Sequence, residues 1–159
     1  MATCKPVGID NFIKDMDVRS KAFKGMAGRS LYVGADIIAD KFRENIKALP
    51  ERSKSASKGA PLRGVTPEQK QAMLDHMGIA RMQNLDGTYD IKIGFEGYDN
   101  DKTKKYPNGH PISMIARSVE SGTSFLQKTP FIRTTYQQAH AQAEAAMAET
   151  LEREWSKGQ

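Results

Sequence analysis

The chain has 159 residues, 38% of them hydrophobic, a mean hydropathy of −0.61 and a formal charge of +5. That is one domain's worth of sequence, too apolar for disorder throughout yet polar enough that part of its apolar surface is expected to be completed by a neighbouring copy. The absence of any run of 18 apolar residues excludes a membrane-spanning helix. The single Cys4 excludes an internal disulfide, and the opening Met-Ala-Thr-Cys-Lys-Pro lacks the apolar segment of a secretory leader, so the cytoplasm is the expected place of synthesis.

Charge is spread unevenly along the chain. Residues 1–64 carry 13 Lys and Arg against 7 Asp and Glu, whereas residues 65–159 carry 11 against 12. A basic first part is compatible with a surface that faces nucleic acid, although a solvated face is the commoner meaning of such a bias.

Residues 1–17 offer Ile9, Phe12, Ile13 and Met16, enough for a turn or two of docking helix, and are expected to be an N-terminal arm. From Val18 to Leu49 the period is helical, with Leu31, Ala35, Ile38, Phe42, Ile46 and Leu49 on one face. Gly25, Gly28 and Gly34 weaken the first half, so a kink or a start nearer Arg29 is expected. Pro50 ends this helix. Residues 51–64 then form an exposed basic loop carrying Arg52, Lys54, Lys58 and Arg63.

Thr66-Pro67-Glu68-Gln69 has the make-up of a capping box and opens a short helix that runs to about Met77, with Gly78 as its stop. The period then changes to two: Tyr89, Ile91, Ile93 and Phe95 alternate with Asp90, Lys92 and Gly94, a half-buried strand. Its hairpin partner is expected over residues 79–84, joined through Leu85-Asp86-Gly87. A polar loop, 97–111, leads to a second helical face made by Ile112, Ile115, Ala116 and Val119, stopped by Gly122.

Thr129 and Pro130 are placed to cap and open the last helix, which is expected from Pro130 to about Ser156 with Phe131 at its base pointing back to the loop. That helix is rich in alanine, which favours helix and permits close approach of a second one. The domain is thus expected over 18–156, with 157–159 as a tail. Its fold class is α+β, with long N- and C-terminal helices on a small antiparallel sheet and one or two short helices.

Chemistry is sparse. His76, His110 and His140 stand apart without metal-ligand spacing, and Asp99-Asn100-Asp101 lacks the acids and glycine that would continue a calcium loop. Glu120, Thr123 and Ser124 have no histidine with a reason to join them, so a structural role is expected for Glu120: accepting hydrogen bonds from backbone N–H groups or from those hydroxyls. No catalytic residue, cofactor or metal is expected.

Ile115-Ala-Arg-Ser-Val-Glu-Ser-Gly-Thr-Ser, followed by Lys128-Thr-Pro-Phe-Ile-Arg133, resembles the C-terminal signature of the tail completion or head-tail joining (minor tail) proteins of long-tailed double-stranded DNA bacteriophages. The matching residues are Ala116, Arg117, Glu120, Gly122, Thr123, Pro130 and Phe131, and the likeness extends through Lys92-Ile-Gly-Phe-Glu-Gly-Tyr98. Between the first helix and the sheet, where many such proteins have a Pro and then Thr-Gly, this chain has Pro50, a longer Ser- and Lys-rich segment and an added helix.

The resemblance implies a non-enzymatic protein of the virion neck or tail end. It implies a ring of identical subunits, a hexamer being one candidate, that helps join the DNA-filled head to the tail and meets neighbouring neck, tail-terminator or tail-tube proteins. The basic loop would face an acidic neighbour or packaged DNA. The alternative from another class is a basic nucleic-acid-binding regulator.

Overall fold

The computed structural model describes residues 9–53 and 61–157, with side chains from residue 20 onward in the first of these. Four helices and four short strands follow in the order α1 (Ile9–Lys47), α2 (Pro67–Asp75), β1 (Met77–Ile79), β2 (Gln83–Leu85), β3 (Thr88–Asp90), β4 (Ile93–Phe95), α3 (Ile112–Ser121) and α4 (Ile132–Lys157). The fold is α+β, with long helices at both ends of the chain and a small antiparallel hairpin.

The first helix is longer than expected. It runs unbroken for 39 residues, ~58 Å at about 1.5 Å per residue, straight through the boundary expected at residue 17 and through all three glycines. Two of the glycines serve contact with other elements. A Cβ at Gly34 would stand 2.6 Å from the Cγ of Met147 on α4, and one at Gly28 would stand 3.5 Å from the sulfur of Met82 on the hairpin. Bare backbone lets neighbours come close, and packing recovers what helix propensity loses.

α1 and α4 lie antiparallel. Asn45 reaches Thr135 and Gln138 at one end of the pair, Ser30 donates to the Met147 carbonyl further along, and Arg29 pairs with Glu154 at the other end. Ala35 and Ala39 on α1, with Ala139 and Ala143 on α4, are buried, the close approach that the alanine-rich sequence promised.

The capping box forms as read: Gln69 N donates to the Thr66 hydroxyl, and Thr66 N donates to the Gln69 side chain, both at 3.2 Å. The helix it opens stops at Asp75, however, and Gly78 lies in β1 instead of terminating α2. His76 is the C-cap, and Met77 turns its side chain into the core as the first strand residue. Lys70 from α2 donates to the carbonyl of Lys47 at 2.9 Å and to Glu51 at 2.8 Å, satisfying an orphan acceptor at the end of α1.

The expected single strand through Tyr89–Phe95 is two. β1 pairs with β4 (Met77 with Phe95, Gly78 with Gly94, Ile79 with Ile93), and β2 pairs with β3 (Gln83 with Asp90, Asn84 with Tyr89, Leu85 with Thr88). Between the ladders Ala80, Arg81 and Met82 face only Ile91 and Lys92, so the register slips by one residue, a bulge that swings the hairpin tip. Tyr89 thereby meets Phe23 with ring centroids 6.3 Å apart, and the Tyr32 hydroxyl accepts from Met82 N. The turn is the expected Asp-Gly: Asp86 at φ 51° and Gly87 at φ 87°.

The core lies where α1, α2, the β1–β4 ladder and α3 converge. Phe42, Ile46, Val65, Met73, Ile112, Val119 and Phe131 are among its buried members. Among the described residues no helix is long and apolar enough to cross a membrane.

Candidate functional site

α3 forms as its period dictates, with Ile112, Ile115, Ala116 and Val119 buried and Arg117 exposed. Gly122 ends it at φ 75°, its N–H bonded to the Ser118 carbonyl at 2.9 Å. A Cβ there would sit 3.0 Å from the Lys128 nitrogen in a backbone region that L side chains rarely adopt, so position 122 requires glycine.

The segment after Gly122 is tied down at several points. Thr123 N donates to the Leu126 carbonyl at 2.8 Å, and the Thr123 hydroxyl accepts from Phe125 N and Leu126 N at 3.2 and 3.0 Å. Leu62 N donates to the Phe125 carbonyl and Gln127 N to the Leu62 carbonyl, so this turn and the end of the basic segment form a short parallel bridge. Thr129 N donates to the Val119 carbonyl at 2.8 Å.

Here the expected cap is corrected. Thr129 and Pro130 lie before the helix, which begins at Ile132, and Pro130 is exposed. The cap comes from α3: the two carboxylate oxygens of Glu120 accept from Ile132 N at 2.8 Å and Arg133 N at 3.2 Å. Of the two kinds of partner expected for Glu120, the backbone N–H groups are the ones used. A carboxylate at a helix N-terminus satisfies orphan donors and meets the positive end of the helix dipole.

Phe131 does not point back to the loop. It is 3% exposed and packs edge-on against Phe42 of α1 at 5.7 Å, with Phe95 of β4 at 6.4 Å completing a triangle of rings. Its carbonyl accepts from both the nitrogen and the hydroxyl of Thr135, and the Thr135 hydroxyl in turn accepts from the Asn45 amide at 2.8 Å. A continuous line of hydrogen bonds thus runs from α1 to the first residues of α4. Nothing in the sequence pattern signals it, because Asn45 and Thr135 are 90 residues apart.

Of the four basic residues named from the sequence, two can be placed. Lys54 and Lys58, like Cys4, lie outside the described residues. Arg63 is exposed, whereas Arg52 is half-buried and holds the mouth of its segment: its N–H donates to the Val65 carbonyl at 2.9 Å and its Nε to the Gly64 carbonyl at 3.2 Å.

A second cluster was visible in the sequence only as a weak calcium-like string. Asp99, 6% exposed, accepts from His110 N at 2.6 Å and Asp101 N at 3.1 Å, while its other oxygen lies 3.5 Å from His110 Nδ1. Tyr106 packs against the His110 ring at 4.6 Å between centroids, the two planes tilted by 45°. A Cβ at Gly109, φ 95°, would collide with the Asp99 carbonyl, and this is why the loop closes on itself here. Asp99, Asn100 and Asp101 line a cavity of about 340 Å³ together with Arg52, Thr66, Glu68, Gln69 and Ala72. Among the described residues no three His, Cys, Asp or Glu side chains converge as metal ligands would.

No family model, no curated protein and no solved structure matches this chain.

Proposed function

We propose that the chain is a non-enzymatic structural protein of a bacteriophage neck or tail end, working as a ring of identical subunits that helps join the DNA-filled head to the tail. The observation that carries this reading is the use to which the residues of the resemblance are put. Glu120, Gly122, Thr123 and Phe131 all bind backbone, enforce a turn or fill the core, and together they set where α4 leaves the body. Side chains committed in this way orient an element. Supporting it are the large hydrophobic side chains left outside, among them Phe125, Tyr136 and Trp155, which one subunit does not cover.

In the assembled particle the protein meets its own copies and the neighbouring neck or tail proteins. Cryo-EM of the virion neck tests the reading: density for α1 and α4 is expected in a closed ring at the head-tail boundary. Particles of normal composition that lack the chain, or that carry it elsewhere, would sink it. The basic bias of residues 1–64 and the exposed Arg63 favour a second use, contact with DNA. It requires duplex binding whose affinity falls steeply with salt, and no binding at low ionic strength removes it.

A further inference from the structure

The β1–β4 ladder has one face turned inward and one left bare. Met77, Ile79, Ile93 and Phe95 join the core, so the alternating positions Gly78 and Gly94 stand on the outer face. They are direct cross-strand partners, and a Cβ at either would meet nothing within 4 Å. Neither has a positive φ, so the backbone does not demand glycine, and a β-branched residue would serve the strand better. Glycine in a strand often marks a bulge, a bend or a site where another group approaches the backbone closely, and the Gly78–Gly94 pair sits in regular register with no bulge between them. What results is a trough of about 510 Å³ floored by peptide groups, with Ala80 and Lys92 at one end and Asp75, His76 and Glu96 at the other.

Elsewhere on the same chain stands a side chain suited to it. Phe125 is 77% exposed, the most exposed large hydrophobic among the described residues, yet its backbone is fixed by Thr123 on one side and Leu62 on the other. A ring presented on a fixed turn loses little freedom on docking, and an aromatic face lies well against bare peptide groups. Charge agrees: Lys128, exposed three residues on, is the one charged side chain in the 121–128 segment, and the far end of the trough carries the carboxylates of Asp75 and Glu96.

We propose that Phe125 of one copy seats in the Gly78–Gly94 trough of the next, with Lys128 against Glu96. The inference rests on the ring reading above and names its contact. Knob and hollow are different patches of one chain, so the contact is heterologous: it closes a ring when the rotation between copies permits and continues as a filament when it does not.

Sedimentation velocity of the full chain over micromolar concentrations, with thermal unfolding alongside, tests it. Wild type is expected to self-associate, and F125A and G94V each to lower the association constant by about tenfold or more with unchanged melting. G78V, at an independent strand position, is expected to match G94V. In a C4S background, mixing F125C with G94C is expected to give an intermolecular disulfide between unlike chains.

A monomeric wild type, or variants that associate as wild type does, overturns the proposal. Closed rings formed equally by F125A and G94V would remove this contact while leaving the ring. Open fibres abolished by both variants would support the contact and count against the ring.

Discussion

The two ends of the α1–α4 pair are held by opposite kinds of chemistry. At the end where Phe95 of β4 meets the pair, three aromatic rings meet, Thr135 is fully buried, and a hydrogen-bonded line joins Asn45 to the Phe131 carbonyl. At the far end the contacts are the Gly34–Met147 approach, one serine hydroxyl and the Arg29–Glu154 ion pair, whose arginine side chain is 58% exposed. Buried apolar contact resists separation far more than a solvated ion pair. The first end therefore fixes the angle at which α4 leaves the body, and the second only keeps the helices together along their length.

Truncating Phe131 to Ala attacks the strong end. It is expected to cost ~3–5 kcal/mol in urea unfolding, because it empties the space between Phe42 and Phe95. A loss no greater than that of a surface substitution would show that the ring triangle does not anchor the fold. Gly34→Val attacks the close approach and is expected to cost ~1–3 kcal/mol through overpacking. Since the crowding atoms belong to Met147, adding Met147→Ala should return part of that loss; strict additivity of the two would mean that the crowding is not relieved there.

Glu120→Ala removes the cap supplied from α3 and should cost ~1–2 kcal/mol. Amide exchange should quicken at Ile132 and Arg133, and Glu120→Gln, which keeps an acceptor oxygen, should lose less. Unchanged protection at both amides would break the capping assignment.

The smallest effect is expected at Glu154. Hydrogen bonds from Lys157 first and then Arg29 hold its carboxyl below the ordinary glutamate range. A lowered pKa means that the stabilisation is present above the unfolded-state value and is lost as pH falls through the lower folded value. Glu154→Gln should therefore lower the melting temperature slightly at neutral pH, leave it unchanged in acid, and so flatten the acid limb of the profile. A larger loss at neutral pH than Phe131→Ala produces would reverse the ranking of the two ends.

How much of this was legible in the sequence differs from element to element. Thr66 to Gln69 carried a complete local signal, as did Asp86-Gly87, Gly122 and the apolar face of α3, because each rests on contacts within a few residues. Two errors share one cause. Gly78 looked like a helix stop and Gly34 like a helix weakness because local propensity was all the sequence could show, whereas strand pairing with Gly94 and the approach of Met147 decide them. The misplaced cap of α4 has the same origin: Thr129 was the nearest hydroxyl, but a carboxylate 12 residues before Ile132 lies closer in space. Glu120 itself was legible as a backbone-binding group, though not which helix it would bind.

The pairing of the first helix with the last also shapes how the protein is made. Synthesis runs from the N-terminus at about 5–20 residues per second. α1 leaves the ribosome with its small-residue stripe at Gly34, Ala35 and Ala39 complete, while Thr135, Ala139, Ala143 and Met147 do not yet exist. Contacts such as Arg29–Glu154, 125 residues apart in sequence, close only after everything between them has emerged. A partly made chain thus displays the surface that the finished one hides, and the cell must keep such chains apart until α4 arrives.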